Sequence, residues 1–533
     1  MIINTKFFLI TLLLILAGCS SGSDTANDLL QNSNPDPGSN SNVNNAGSVV
    51  ISGTVTEGEI LTATVSDADG ITSTISYVWK ADNVVIGGAT SNTYLLTQAE
   101  AGRTITVTAS YIDDGFTAEN PVSDPTAAVS LQSNNSCDPL PAPGGNIVSA
   151  STSDVHNLDQ IVSSLNTGDT LLLEDGIYLL NGTALWFNTP GVTLRSASGN
   201  PGNVILDGGY VTNEIITVAA SDVTIAEITI KRAYTHPIHI VSSASSDTLN
   251  ALVYRVTIID PREQAIKINP GANSNYADSG EIACSNLKLT AEGRPHVNTV
   301  AGGCYTGGVD AHRARDWVVR DNIIDGFWCP TGLSEHAIHF WTGSRDTVVE
   351  RNVILNSARG IGFGLLSSGS ARTYQDNICP QSSGGYIDHY RGVIQNNFIF
   401  AADTDLLSTS DGFDCGICLW SACEATAVHN TVYSAGSSSS SMEIRFSSTK
   451  DAKIYNNLLS HSIKIRDNAT GDIQGNLGNS PGSIFVDVLS GDLHITSNAP
   501  SVIDQGYTQY DQIGFDIDGD ARDSSPDIGA DEL

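Results

Sequence analysis

The chain is poor in charged side chains, and especially in cations. Only 16% of its 533 residues are charged, and 25 Lys and Arg stand against 58 Asp and Glu, which gives a formal net charge of −33. Proteins that bind nucleic acid neutralise phosphates with clustered cations, so this composition excludes a generic nucleic-acid partner. It also argues against tight docking on an anionic membrane surface.

Methionine is scarce as well, with two residues, whereas glycine occurs 50 times. Ser, Thr, Asn and Gly take the place of the missing charged residues. A composition of small polar residues is more typical of an extracellular β-rich protein than of a helical enzyme.

The apolar run at the N-terminus, Phe7 to Ala17, is too short for a membrane span and follows Lys6. The sequence Leu-Ala-Gly-Cys that ends at Cys19 resembles the lipobox of bacterial lipoproteins. The resemblance implies cleavage after residue 18 and lipidation of Cys19, and Ser20 favours the outer membrane. We therefore expect a lipid-anchored protein that faces the surface or the periplasm, with an ordinary secretory signal as the alternative.

The polar composition of residues 19–47 predicts a flexible tether, because the segment lacks large apolar groups. Two folded units should follow, at 48–130 and 147–533, with a linker at 131–146. We expect the protein to act as a monomer.

Eight cysteines remain after Cys19, and an exported chain permits disulfides. Connectivity cannot be deduced from spacing, but Cys284–Cys304, Cys329–Cys379 and Cys415–Cys423 are plausible pairs. Cys415, Cys418 and Cys423 are also candidate metal ligands, although no nearby His completes a standard zinc spacing.

Short alternating segments separated by turns occupy 48–130, including Ile60 to Val65 and Thr104 to Ser110. This pattern predicts an antiparallel sandwich with Trp79 in a strand. The stretch resembles bacterial immunoglobulin-like modules, which implies a spacer or a weak carbohydrate contact. Asp67 and Asp69 are candidate calcium ligands in a turn.

The second unit contains two recurring motifs. One places an Asn between apolar pairs, at Asn322, Asn352, Asn397, Asn430, Asn457 and Asn476. The other is a five-residue strand whose middle residues are His239, Lys267, Asp310, His339, Gly362, Cys418, Ile444 and Lys464. A base period in the twenties with insertions indicates a solenoid, and Asn at a repeated turn position that tolerates left-handed backbone favours a parallel β-helix.

Both ends of this unit support that interpretation. Leu158 to Tyr178 resembles the first coil of right-handed β-helix proteins related to pectate lyases, and Phe515 to Asp531 resembles their C-terminal ending. The predicted fold class is all-β: a right-handed parallel β-helix of the pectate-lyase-like superfamily after a small immunoglobulin-like β-sandwich. Three aspartates of the ending are candidate calcium ligands: Asp516, Asp518 and Asp520.

Alternation within the second strand set predicts which side chains face outward. One parity is apolar in nearly every strand and should fill the interior. Because parallel strands stack about 4.8 Å apart, the other parity should form one continuous external column. Its members are His239, Lys267, Asn269, Asp310, His312, His339, Trp341, Gly362, Cys418, Trp420, Glu443, Arg445, Lys464 and Arg466.

This column is rich in cations and histidines on an otherwise acidic chain, which points to an acidic polysaccharide as partner. Trp341 and Trp420 should be exposed and suit stacking on sugar rings. The densest patch is 307–364, where Gly360, Gly362 and Gly364 should leave open space beside His339. We expect substrate contacts from His239, Glu335, His336, Trp341, Trp420, Arg445 and Lys464. The alternative is that these residues merely cover the sheet under a loop. If they form a groove, insertions 270–306 and 365–410 should form its walls.

An acidic sugar suggests β-elimination, which needs carboxylate neutralisation, a base for the C5 proton and an acid for the leaving oxygen. The cation is Arg345, Arg359 or Lys267, and the base is His339, His312 or Lys267. Asp310 would orient His312 or His339. The sequence identifies no obligatory cofactor, and calcium is the one candidate.

Other chemistries remain open. The element from Val309 to His312 is similar to the Asp-Pro-His element of mannuronan C5-epimerases, although Ala311 replaces Pro and Gly307 replaces the expected Tyr. A glycoside hydrolase would use Asp310 with Glu335, or Asp411 with Asp414. The catalytic Arg pattern of pectate lyases is absent. The paired-Asp and Arg-Ile-Lys motifs of polygalacturonases are also missing, which ranks a hydrolase below a lyase. The non-enzymatic alternative is a β-helix adhesin.

Overall fold

The computed structural model describes residues 44–55, 59–96, 100, 103–127, 129, 137–272, 274–300, 303–365, 372–376, 379, 387–436, 440–509 and 513–533. The predicted signal segment and Cys19 lie outside these residues. The chain divides into two compact units, Met1–Gln132 and Ser133–Leu533. Within the described part, no helix has the length and hydropathy needed to cross a membrane.

The first unit contains two antiparallel sheets. One consists of Ser48–Ser52, Ile60–Ser66 and Thr93–Leu95, and the other of Val84–Val85, Ser76–Ala81, Ile105–Ile112 and Ala118–Glu119. Inward residues of both sheets share one core around Trp79, which is fully buried. The predicted antiparallel sandwich and the position of Trp79 in a strand are confirmed, and the likeness to immunoglobulin-like modules stays a prediction.

Three long parallel sheets form the second unit, and we call them sheets I, II and III. Each of the ten complete turns contributes one short strand to each sheet, and sheet I has one additional strand at either end. The twelve strands of sheet I are Ile147–Ala150, Thr170–Leu173, Thr193–Ser196, Thr224–Ala226, Leu252–Tyr254, Glu281–Ala283, Val318–Arg320, Val348–Glu350, Val393–Gln395, Thr426–Val428, Ala452–Tyr455 and Gly471–Gln474.

Sheets II and III have ten strands each. Sheet II consists of Gly176–Leu179, Val204–Asp207, Thr229–Lys231, Thr257–Ile259, Asn286–Lys288, Ile323–Asp325, Val353–Leu355, Phe398–Ala401, Thr431–Ser434 and Leu458–Leu459. Sheet III consists of Leu185–Phe187, Ile216–Val218, Ile238–Val241, Gln264–Asn269, Gly307–His312, Ile338–Trp341, Arg359–Phe363, Cys415–Trp420, Met442–Arg445 and Ile463–Arg466. This topology confirms the predicted all-β class and the parallel β-helix.

The remaining elements are short. Ser344–Arg345, His389–Tyr390 and Ala422–Cys423 form a small parallel sheet, Thr248–Leu249 pairs with Ala277–Asp278, and Phe485–Asp487 forms an antiparallel pair with Asp492–Ile495. The helices are Leu158–Ser163 and Thr404–Ser408, and the 3₁₀ turns are Thr152–Asn157, Arg294–His296 and Gly482–Ile484.

The repeated Asn side chains form a buried ladder at the corner between sheets I and II. Each amide nitrogen from Asn322 to Asn457 donates to the side-chain oxygen of the next ladder Asn, over 2.8–3.0 Å. The positive-φ residue is the one before each ladder Asn, for example Asp321 at φ 56°. The ladder Asn thus contributes side-chain hydrogen bonds at this corner, and the expectation that it takes the left-handed conformation itself is wrong.

Three of the disulfides join residues from separate segments of the chain, and the fourth joins two residues of one strand. The pairs are Cys137–Cys284, Cys304–Cys329, Cys379–Cys423 and Cys415–Cys418. The predicted pairs Cys284–Cys304, Cys329–Cys379 and Cys415–Cys423 are wrong, because proximity between turns is not proximity in sequence.

Candidate active site on sheet III

The outward column predicted from alternation exists in the structure. His239, Lys267, Asp310, His339, Gly362, Cys418, Glu443 and Lys464 are neighbours in the parallel register of successive strands. At the rung after Cys418, Glu443 occupies the register position and Ile444 packs in the interior core beside Leu419, both as the alternation predicted.

A second column runs beside the first because the strands carry an irregularity near their beginnings. Gly308 and Gly416 face inward, since an added Cβ would lie 3.0 Å from Ile324 and 2.5 Å from Val432, respectively. The interior apolar residue follows directly after these inward positions, so two consecutive residues face the core. The position before them then also faces outward, and it holds Gln264, Gly307, His336, Arg359 and Cys415.

Lys267 is the centre of the site. Its ammonium group forms a close ion pair with Asp310, lies 3.0 Å from His312 Nε2 and donates to the Tyr305 hydroxyl over 3.4 Å. Lys267 and Asp310 are almost inaccessible, at 4% and 1% exposure. His312 is more open, with 24% of its side chain exposed.

Charge fixes the protonation of this cluster. Burial alone would lower the pKa of Lys267, but the Asp310 carboxylate raises it above the ordinary value, so the amine stays charged. Burial alone would raise the pKa of Asp310, but Lys267 and His312 hold it well below its usual range. Burial lowers the pKa of His312 despite Asp310, and burial raises the pKa of Tyr305. Near neutral pH the cluster therefore contains a cation, a carboxylate, a neutral imidazole and a phenol.

Asp310 connects the members of this cluster. Its Oδ1 accepts from Trp341 Nε1 over 2.7 Å, and its Oδ2 faces Lys267 and lies 3.4 Å from His312 Nε2. Trp341 is half-buried, and its ring packs between His312 at 4.5 Å and His339 at 5.0 Å. The expectation that Asp310 orients His312 agrees with this geometry.

His339 lies at the floor of the site. Its side chain is fully buried, and its Nε2 donates to the Gly364 carbonyl oxygen over 3.2 Å. A direct role as base is therefore disfavoured, since a base must reach the substrate. The open space predicted beside it is also wrong. The His336 ring lies over Gly362, 2.6 Å from where a Cβ would be, and Gly360 faces the interior.

His336 is fully buried, and burial keeps its pKa well below the ordinary value, so the imidazole is neutral. Glu335 is partly exposed, and its Oε2 lies 3.5 Å from His339 Nδ1. His239, one rung before Lys267, is held by Glu214 at 2.9 Å and by Asn269 at 3.3 Å.

The expected cations do not stand free. Arg345 is buried against Asp346 and Asp376, in the small sheet beyond the end of the Trp341 strand. Arg359 pairs with Asp414 at 2.8 Å. The predicted carboxylate-binding role of these arginines has no support in the contacts.

The far end of the column is similar. Arg445 pairs with Asp467, and Lys464 lies 4.0 Å from Glu443. Trp420 is buried at 5% exposure, so the expectation of an exposed ring is wrong, and it packs against the guanidinium of Arg359 at 5.1 Å. The column is therefore lined with ion pairs. Lys267 differs from the other cations of the column because a histidine and a phenol are further neighbours of its ammonium group.

Two residues of the site were not foreseen. Tyr305 comes from the insertion 270–306, where alternation gives no information, and Glu214 precedes its strand. Gly307 stands where the epimerase element is expected to have a tyrosine. In this chain Tyr305, two residues earlier, places a phenol in the site. Among the calcium candidates, Asp69 binds Asn45, Asp67 binds Tyr111, and Asp516 accepts backbone N–H groups of Asp518 and Asp520.

Comparisons with known proteins give one partial family match and distant matches to solved structures. Residues 285–487 match a family described as NosD, a periplasmic copper-binding protein, which is less than half of the chain. No curated protein matches. A crystal structure of pectate lyase Pel9A has 13% identity and a TM-score of 0.44, covering 73% of this chain and 96% of that one. A family 28 exopolygalacturonase of Yersinia enterocolitica has 10% identity and a TM-score of 0.24, covering 82% and 97%.

Proposed function

We propose that the protein is a polysaccharide lyase that cleaves a uronate-containing polysaccharide by β-elimination. The observation that carries the proposal is the cluster of Lys267, His312 and Tyr305 around Asp310, at an outward and partly open position of sheet III. Each of the three demands of β-elimination has a group there in the protonation state that it needs.

His312 is the proposed base. With its proton on Nε2, the ring donates toward Asp310, and Nδ1 carries the free lone pair. Nδ1 makes no hydrogen bond to any residue that the structure describes. An imidazole with a lowered pKa is unprotonated near neutral pH, so it is ready to accept the C5 proton.

Tyr305 is the proposed acid. Its raised pKa keeps the phenol protonated, and its oxygen accepts from Lys267, which leaves the O–H free to donate to the leaving oxygen. Lys267 itself stays charged. It is too buried to contact the sugar, and its positive charge beside His312 and Tyr305 would act through its field on the negative charge that develops on the sugar carboxylate.

The contacts favour elimination over hydrolysis. A hydrolase needs two available carboxylates, but both oxygens of Asp310 are engaged and the residue is buried. Of the second pair, Asp414 is bound to Arg359. In line with the sequence-based expectation at Cys19, we propose that the enzyme acts from a lipid anchor in the outer membrane.

The test incubates the full chain with pectate, alginate and chondroitin sulfate and follows the ultraviolet absorbance of an unsaturated product. We expect a rise with one of them, and its loss in His312→Ala and Tyr305→Phe. The matched control is His156→Ala, an exposed His in the turn Thr152–Asn157. New reducing ends without that absorbance, inversion at C5 without cleavage, or binding without any product would each overturn the proposal.

A further inference from the structure

Beside the Lys267 cluster, sheet III buries several polar groups that lack hydrogen-bond partners among the residues that the structure describes. They are both ring nitrogens of His336, Nδ1 of His339, Oε2 of Glu335, both amide atoms of Gln264 and Nε1 of Trp420. Buried polar atoms are rarely left unpaired, so this concentration in one patch requires an explanation.

His336 is the most informative member. Its side chain is completely buried, and neither ring nitrogen is hydrogen-bonded within the described part. The two nitrogens therefore contribute no hydrogen bond to the fold. The ring occupies the space above Gly362, the one position in that part of the column without a side chain. Gly362 lies in register between His339 and Cys418, so the ring is placed between an imidazole rung and a cysteine rung.

Two cysteines, Cys415 and Cys418, lie close to the His336 ring. Cys415 and Cys418 are three residues apart, a spacing that would put them on opposite faces of a regular strand. The irregularity at Gly416, which faces inward, brings both to the outer face. The sulfur atoms and one ring nitrogen of His336 lie within 4.8 Å of one another, and all three residues are buried.

We propose that reduced Cys415 and Cys418, together with His336, bind one thiophilic metal ion, Cu(I) or Zn(II). Two thiolates and an imidazole are the donors that these ions prefer, whereas calcium and magnesium require oxygen. Cys415, Cys418 and His336 are 1%, 0% and 0% exposed, so water is excluded from them. Such a site favours a metal ion that binds directly to the side chains over an ion that keeps its hydration shell.

The site has two redox states. In the structure Cys415 and Cys418 are joined as a disulfide. A dithiol reductant breaks this bond by thiol–disulfide exchange: two electrons and two protons pass to the cysteine sulfurs, and the reductant becomes a disulfide. Metal binding then releases the two thiol protons, because the thiolate is the ligand form. Oxidation of the pair therefore removes the metal.

The experiment measures retention of Cu(I) or Zn(II) by the full chain against a competing chromogenic chelator, before and after reduction with free thiols counted. We expect the reduced protein to retain one equivalent of one of the two ions and the oxidised protein to retain none. Cys415→Ser with Cys418→Ser should abolish retention. His336→Gln should weaken it by roughly 10- to 100-fold or more, since even the loss of groups that only support ligands has an effect of this size.

The matched control is Cys379→Ser with Cys423→Ser, which also removes one disulfide and should retain the ion. Should His336→Gln fail to fold, Gly362→Ala serves instead, because its Cβ would displace the His336 ring. Stoichiometric binding that survives the Cys415 and Cys418 substitutions overturns the proposal. So does absence of binding when both thiols are shown to be free.

Discussion

Removing one residue from the middle of the Asn ladder should destabilise the β-helix more than removing its last residue. Asn397 is fully buried, and its Oδ1 accepts from the backbone N and the side-chain amide of Asn352, at 2.9 and 3.0 Å. Its amide nitrogen donates to Asn430 and to the carbonyl oxygens of Val349 and Gln395. Asn397→Ala deletes all five contacts.

The cost follows from the donor left behind. Asn397→Ala orphans the buried backbone N–H of Asn352, whereas the side-chain amide of Asn352 keeps the carbonyl oxygens of Val319 and Glu350. The orphaned N–H alone predicts a loss of about 1–3 kcal/mol. Asn476 ends the ladder and is half-buried, so water can replace it. We expect about 1 kcal/mol for Asn476→Ala.

Chemical denaturation followed by tryptophan fluorescence gives both values. Hydrogen exchange of the backbone amide of Asn352 provides a local readout, and it should accelerate only in Asn397→Ala. Equal losses for the two variants would refute the reasoning, because they would show that burial of the ladder does not determine its contribution. Unchanged protection of Asn352 would refute it as well.

Three further predictions concern ionisable groups. The lyase rate should fall as the pH drops through the His312 pKa, which burial places below 6.5, and a pH profile whose acidic limb lies above that value contradicts this. Lys267→Met leaves Asp310 buried without its cation and should lower the free energy of unfolding by about 3–5 kcal/mol. The double variant Lys267→Met with Asp310→Asn should recover part of that loss. If the effects of the two substitutions simply add, the coupling is refuted. Burial lowers the pKa of His389 from 6.5 to about 3, so the unfolded state gains the proton first and stability declines as the pH falls between those values. His389→Gln should reduce that decline by up to about 1.4 kcal/mol per pH unit in acid titrations of stability, and an unchanged slope would count against it.

Much of the fold was predictable because a β-helix repeats its rules locally. Short alternating strands with an apolar parity show the inner and outer faces, and the recurring Asn marks one corner. The limit of this reasoning shows at Gly360, which was expected to leave open space beside His339. It faces the interior instead, because an irregularity near the beginning of its strand interrupts the alternation.

The site was predictable in its membership and not in its chemistry. Alternation placed Lys267, Asp310 and His312 together, because neighbouring turns stack at a fixed spacing. It said nothing of Tyr305, which an insertion brings in, nor of the carboxylates that pair with Arg345 and Arg359 from loops.

The sequence by itself determined the solenoid, its apolar interior and the outward column, since strand periodicity and a repeated corner residue act over a few neighbouring positions. Only the tertiary structure decided the disulfide pairs and the exposure of each outward residue. It also decided where His336 lies relative to Cys415 and Cys418, some 80 positions further along the chain. Sequence spacing offered no His for these cysteines, because the ring reaches them across a glycine in the intervening turn, and such a contact depends on which turns are stacked.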